Sequence, residues 1–241
     1  MQKRQKIRRG LILISFLFFP LTIYYFSPVL PIMAGYSGII AGSLISFAVM
    51  FIASLFIGRL FCGWTCPAAG LQEACFVVED SPVKKGNWIK YLIWFPWLAA
   101  IVILLARSKG NLAVDPLYQT WHGISLHGPE SYFVFFGFLA LIVILSFTVG
   151  KRSFCHHVCW MAPFMVIGHK LQTILKLPAL RLVAEKETCN SCTLCNKHCP
   201  MSLNVEELVH KESMENSECI LCGMCADTCK KNVISYSFSR K

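Results

Sequence analysis

Eight cysteines between positions 189 and 229 constrain this chain more than any other feature. They fall in two runs of identical spacing, Cys189-x2-Cys192-x2-Cys195-x3-Cys199-Pro200 and Cys219-x2-Cys222-x2-Cys225-x3-Cys229. Two intervening residues let a backbone loop wrap a compact inorganic group while its amide N–H groups point inward. Pro200 then redirects the chain away from that group. Structural zinc sites also use paired cysteines, but a doubled order of eight fits two iron–sulfur cubes better. A disulfide scaffold fits poorly, because the thirteen cysteines are an odd number and CxxC spacing belongs to metal sites.

In this spacing three close thiolates cap one cluster and the fourth of the run reaches across to the other. Cys189, Cys192, Cys195 and Cys229 are thus assigned to one [4Fe–4S] cluster, and Cys219, Cys222, Cys225 and Cys199 to a second. Residues 181–241 form a small α+β ferredoxin domain of the bacterial two-cluster type. Roughly 60 residues carry too small an apolar core to fold stably, so the clusters are its structural centre as well. Lys230 stands where a proline often follows the last cysteine, a place that takes no part in ligation. His198 beside Cys199 is expected to pack by the cluster.

Residues 1–180 rest on different physics. The chain is 55% hydrophobic and only 15% charged, and no cysteine precedes Cys62. Four stretches are long and apolar enough to span a bilayer as helices, for which about 20 residues suffice: Leu11–Met33, Gly38–Gly58, Trp88–Ala106 and Ser131–Gly150. Pro20, Pro28 and Pro31 should kink or end the first. The first apolar run reads as an uncleaved signal anchor, since it is longer than a signal core and lacks a small-x-small cleavage site. The expected fold is an α-helical membrane protein with four transmembrane helices, followed by the ferredoxin domain.

The net charge of +10 could suit nucleic acid. Its distribution argues otherwise. Lys3, Arg4, Lys6, Arg8 and Arg9 precede the first apolar run, and Arg59, Lys84, Lys85, Lys90, Lys151 and Arg152 flank later ones, as cytoplasmic anchors do. The opposite connections hold only Arg107 and Lys109. Both termini and every cysteine therefore fall on the cytoplasmic side of the inner membrane.

The membrane half also repeats itself. Gly58-Arg59-Leu60-Phe61-Cys62-Gly63-Trp64-Thr65-Cys66-Pro67 is matched by Gly150-Lys151-Arg152-Ser153-Phe154-Cys155-His156-His157-Val158-Cys159-Trp160. Each reads Gly, a cation, then Phe-Cys-x3-Cys, and each is followed by a moderately apolar stretch, Ala68–Val78 or Met161–Leu177, read as an interfacial helix. Two parallel helix-pair repeats about an axis along the membrane normal follow. On a helix each Cys-x3-Cys pair places both sulfurs on one face. Brought together, Cys62, Cys66, Cys155 and Cys159 offer four thiolates to an additional iron–sulfur or other thiophilic metal site. The alternatives are a dithiol relay and simple apolar packing. His156 and His157 read as solvated rim residues or ligands, Cys75 as buried filler, and His122 and His127 as part of a polar outer loop with a conceivable proton-exit role.

These motifs resemble the polyferredoxin-type membrane proteins of the NapH, NosR and CcoG kind over nearly the whole chain. The second motif departs from the family's usual Cys-Pro ending, with Trp160 after Cys159 and a proline only at Pro163. The resemblance implies electron transfer between a quinone pool or a flavin and partner redox proteins, as a subunit of an oxidoreductase complex. Its assembly branch suggests instead a metal-maturation or thiol-reducing factor, and a redox-sensing anchor is a third reading.

Overall fold

The computed structural model describes residues 3–83, 86–108 and 112–240. Helix α1 (Lys3–Leu17) gives way to a short helix α2 (Phe19–Thr22) and a 3-10 turn over Ile23–Phe26, a unit bent 59° from α1. Helix α3 (Leu30–Tyr36) follows. The continuous span expected over Leu11–Met33 is therefore broken, for reasons the prolines supply. Pro20 and Pro31 each sit in the first turn of a new helix, where a missing N–H costs nothing. Pro28 forces Ser27 into an extended conformation (φ −70°, ψ 135°).

The second expected span, Gly38–Gly58, begins as a strand, β1 (Ile39–Ala41), and turns helical only in α4 (Gly42–Ile57), 16 residues long. Helices α5 (Leu60–Trp64), α6 (Pro67–Cys75) and α7 (Ile89–Arg107) come next, then strand β2 (Ala113–Asp115), which pairs in parallel with β1. Gly42 makes this junction close: a Cβ there would lie 2.2 Å from the Pro116 carbonyl oxygen. Helix α8 (Pro129–Val149) leads to α9 (Ser153–His157) and α10 (Ala162–Ile174).

Among the described residues, α7 and α8 are long and apolar enough to cross a membrane, and the bent α1–α2 unit is a third if counted as one span. Leu92, Phe95, Val102 and Ile103 on α7, and Phe133, Phe136 and Ile144 on α8, are exposed. Apolar surface of this extent marks a lipid-facing wall. Helices α6 and α10 form where interfacial helices were expected, but both pack into the bundle. Gly70 brings α6 against Ile12 and Phe16 of α1, and Gly168 brings α10 against Ser54 of α4. Glycines at such contacts let two backbones approach closely.

The C-terminal segment is closed by strand β3 (Ala179–Ala184) running antiparallel to β4 (Ile234–Ser239), with Leu182 opposite Tyr236. Between them lie short helices α11 (Leu194–Lys197), α12 (Val205–His210) and α13 (Met224–Thr228). Met201, Val205, Val209, Ile220 and Ile234 form the apolar packing around the cysteines.

Candidate metal centre

Each ferredoxin-type loop carries the same unusual backbone. Ser191 and Thr193 flank Cys192 with φ of 53° and 57°, and Leu221 and Gly223 flank Cys222 with φ of 49° and 71°. A left-handed conformation costs an L-residue about 1–2 kcal/mol, so three non-glycine cases in matching places need a common cause. Alternating left- and right-handed residues turn successive N–H groups into one concavity that suits an anionic group. The loops thus fit the sulfides of an iron–sulfur cube.

The two sets of cysteines differ in exposure. Cys199, Cys219, Cys222 and Cys225 line one small cavity with Met201 and Ile220. In the other set Cys192 is exposed, and Cys189, Cys195 and Cys229 are half-buried. Burial, helped by Cys222, pushes the Cys199 thiol up to about 11 and that of Cys219 up to about 12. Ligation requires thiolates, so metal binding has to displace these protons.

The membrane-edge pairs do not sit on continuous helices. Cys62 and Cys155 are helical, in α5 and α9, but Cys66 and Cys159 lie beyond the ends of those helices. Pro67 disfavours the helical conformation for Cys66, which is extended at φ −69°, ψ 121°. Both corners close by the same hydrogen bonds: Cys66 N–H donates to the Phe61 carbonyl at 3.0 Å, and Cys159 N–H to that of Phe154 at 2.9 Å. All four thiols are buried in one core. Burial, with the other cysteines adding to it, raises Cys66 well above the usual thiol range and Cys159 to about 12. Gln72 Nε2 lies 3.3 Å from Cys155 Sγ, and Met165 Sδ lies 3.8 Å from Cys62 Sγ. Among the described residues no group of His, Cys, Asp or Glu closes to the spacing of a single metal ion.

Five of the cations expected as membrane anchors point inward instead. Arg8, Arg59, Lys90, Lys151 and Arg152 are buried and ion-paired. Arg8 makes two bonds to Glu73 at 2.8 and 2.9 Å, and Arg152 pairs with the same carboxylate. Arg59 and Lys90 share Glu218 at 2.5 and 2.6 Å. Burial would raise both carboxyls, but Arg152 and Arg8 hold Glu73, and Arg59 and Lys90 hold Glu218, below the usual range. Lys84, Lys85 and Lys109 lie outside the described residues. An arginine stands three residues before the first cysteine of both corners, but nothing along the chain names its carboxylate partner.

These charges clamp the ferredoxin loop onto the corner. Glu218 directly precedes Cys219. Trp64 Nε1 donates to the Leu221 carbonyl at 3.0 Å, and Gln5 Nε2 to that of Cys222 at 3.0 Å. Gly63 touches the loop so closely that a Cβ would lie 2.2 Å from the Ile220 carbonyl oxygen. The Cys199/Cys219/Cys222/Cys225 set therefore faces the membrane half, beside Cys62. Glu218→Gln leaves two buried cations without their carboxylate, which for a broken buried pair costs roughly 3–5 kcal/mol. A lower thermal midpoint and easier proteolytic release of the C-terminal segment are expected, and wild-type behaviour in both would refute the clamp. Because the native Glu218 pKa is depressed, its contribution holds above the unfolded value of about 4.3. It is lost as pH falls through the native value.

His156 is buried, not solvated. Its Nδ1 pairs with Asn87 Oδ1, its Nε2 has no partner among the described residues, and burial pushes its pKa down to about 3. His157 Nδ1 lies 2.9 Å from the Ser153 carbonyl oxygen. Cys75 is buried outside the core cluster that holds the four edge thiols. In the loop between α7 and α8, His127 meets the Tyr24 ring edge-on at 6.4 Å, and His122 meets the exposed Trp121 ring edge-on at 5.3 Å.

A family model described as a 4Fe-4S dicluster domain matches residues 188–234, and one described as a 4Fe-4S binding domain matches twice, over 39–79 and 131–178. The double match covers both corners. The ferredoxin-type protein NapH of Haemophilus influenzae is 26% identical over 81% of this chain and 68% of its own length. The chain is similar to the NapH-type ferredoxin proteins over most of its length and carries both kinds of 4Fe-4S domain. An uncharacterized protein of Methanocaldococcus jannaschii is 25% identical over 82% of this chain and 72% of its own length. The methylamine utilization ferredoxin-type protein MauN of Methylorubrum extorquens is 24% identical over 59% of the chain and 47% of its own length. No solved structure matches. The chain is an iron–sulfur electron-transport protein of the membrane.

Proposed function

We propose that this protein passes single electrons between a quinone or quinol pool, or a flavin, and partner redox proteins, as one subunit of a larger oxidoreductase complex. The observation that carries this reading is the contact between the Cys219–Cys225 loop and the Cys62–Gly63–Trp64 corner. It puts the loop of the buried set against the first membrane-edge corner, which supports a route from the exposed set through the buried set to the edge thiols. Two [4Fe–4S] clusters would occupy the first two sets, and a third iron–sulfur or metal centre would use Cys62, Cys66, Cys155 and Cys159. Iron–sulfur centres supply one-electron chemistry; the chain's own residues hold, bury and separate them.

A cavity of about 220 Å³ supports the lipophilic end of the route. Pro67 and Trp160, each next to an edge cysteine, line it with Phe19, Tyr24, Phe26 and Phe138. In this reading four apolar segments span the cytoplasmic membrane as two helix-pair repeats, with residues 181–241 and both termini in the cytoplasm. Anaerobically purified protein should then hold about eight iron in the ferredoxin clusters and about twelve with a third cube. Addition of quinol, or of reduced ferredoxin-type partner with quinone, should change the state of the clusters. Clusters that never exchange electrons with either quinone or quinol would overturn the quinone assignment.

The Met165 thioether beside Cys62 favours a second reading. Soft thiolate and thioether ligands together suit Cu(I), as a metal-maturation factor would require. Tight stoichiometric copper with no third iron–sulfur signal would favour it.

A further inference from the structure

Arg59 and Arg152 hold equivalent places in the two corners, three residues before Cys62 and Cys155, and are 1% and 0% exposed. Each follows closely on a glycine with a positive φ, Gly58 (54°) and Gly150 (115°). Arg152 donates from Nη1 to the Cys62 carbonyl at 2.8 Å and pairs with Glu73. Arg59 reaches Glu218 and the Ser217 carbonyl, the two residues immediately before Cys219. The charge of Arg59 acts on Cys62, Cys155 and Cys219, and that of Arg152 on Cys155, Cys62 and Cys222. The same two guanidiniums thus face the four-cysteine corner and the nearer ferredoxin set.

The charge around them does not balance. Arg8, Arg59, Lys90 and Arg152 are four buried cations against the carboxylates of Glu73 and Glu218, an excess of two positive charges. Arg59 Nε and Nη2 and Arg152 Nε have no hydrogen-bond partner among the described residues. Buried charge is costly unless an opposite charge compensates it, and thiolate-ligated clusters on both sides would provide one.

We propose that Arg59 and Arg152 form a shared electrostatic bridge between the four-cysteine centre and the Cys199/Cys219/Cys222/Cys225 cluster, setting the reduction potentials of both together. Reduction adds negative charge, and a buried cation in a low-dielectric setting stabilises the reduced state. Cations common to both centres raise both potentials, so an electron moving between them keeps its favourable partner. No hydrogen bond or ion pair among the described residues joins either guanidinium to the third set, around the exposed Cys192. Arginine keeps its charge at all relevant pH, so the bridge does not titrate. The two are positioning residues. The proposal rests on the reading that the four membrane-edge cysteines hold a cluster.

The test is an anaerobic redox titration, followed by electron paramagnetic resonance, on the full-length protein. Arg59→Gln and Arg152→Gln should lower the reduced-to-oxidised ratio of both near centres about tenfold at fixed potential, ~59 mV for one electron. The Cys192 cluster should not move, and Arg→Lys should restore most of the shift. Glu73→Gln, which removes a counter-charge, should raise both near potentials; a merely structural role would not give opposite signs. A shift of one near centre alone, an equal shift of all three, or no rise in Glu73→Gln overturns the bridge. A wild-type protein without a third signal overturns the four-cysteine reading itself, whereas a third signal that ignores the variants overturns only the bridge.

Discussion

Cys222→Ala is expected to remove one cluster and to loosen the ferredoxin domain from the membrane half at the same time. Cys222 is buried in the loop that the N-terminal helix and the first corner grip, with its own carbonyl accepting from Gln5 and the preceding Leu221 carbonyl from Trp64 and Tyr236. Folding of so small a domain is coupled to metal binding, so loss of this cluster undoes the surface that docks. Cys192→Ala offers the contrast. Cys192 is exposed and makes none of the clamp's hydrogen bonds, and its loss should remove a cluster while docking survives. Each variant should lose about four iron and four sulfide. Iron and sulfide content and protease protection of the C-terminal segment measure both effects. Tightly bound zinc without sulfide would refute the assignment of all eight cysteines.

Single Cys→Ala replacements at positions 62, 66, 155 and 159 should all damage one and the same spectroscopic signal, because a four-ligand site fails as a unit. The ferredoxin signals should survive, since those ligands belong to a separate segment. Electron flow to or from quinone should stop, since the corner lies between the Cys222 loop and the cavity beside Pro67 and Trp160. A thiol relay predicts otherwise: changed disulfide state with unchanged iron. Simple packing predicts near silence with a modest loss of stability. Iron content, electron paramagnetic resonance and quinone-dependent reduction of each variant separate the three. Full cofactor content and full electron transfer in all four would defeat the shared site and leave the ferredoxin assignment standing.

The cysteine spacings were legible in the sequence because loop-forming around a cluster is a local matter. Two residues between ligands suffice to require the left-handed turns seen at Ser191, Thr193 and Leu221. The duplicated Phe-Cys-x3-Cys corners were legible for the same reason, and the matching five-residue hydrogen bonds at Cys66 and Cys159 follow from them. Apolar runs long enough to span a bilayer could be found by counting, and α7 and α8 answer to two of them. Counting did not reveal how Pro28 and the β1–β2 pairing break up the first two runs, since a proline permits several outcomes and a strand needs its partner.

What tertiary structure alone decided is the fate of the charges. Read along the chain, Arg8, Arg59, Lys90 and Arg152 look like anchors for a lipid surface. Folding instead joins Arg8 to Glu73 across 65 residues and Arg59 to Glu218 across 159. An ion pair of that separation has no local signature, because charge acts through space while the spacing rules act along the backbone. The sequence determined which groups this protein can hold; only the packing of its two halves decided that buried cations would stand between them.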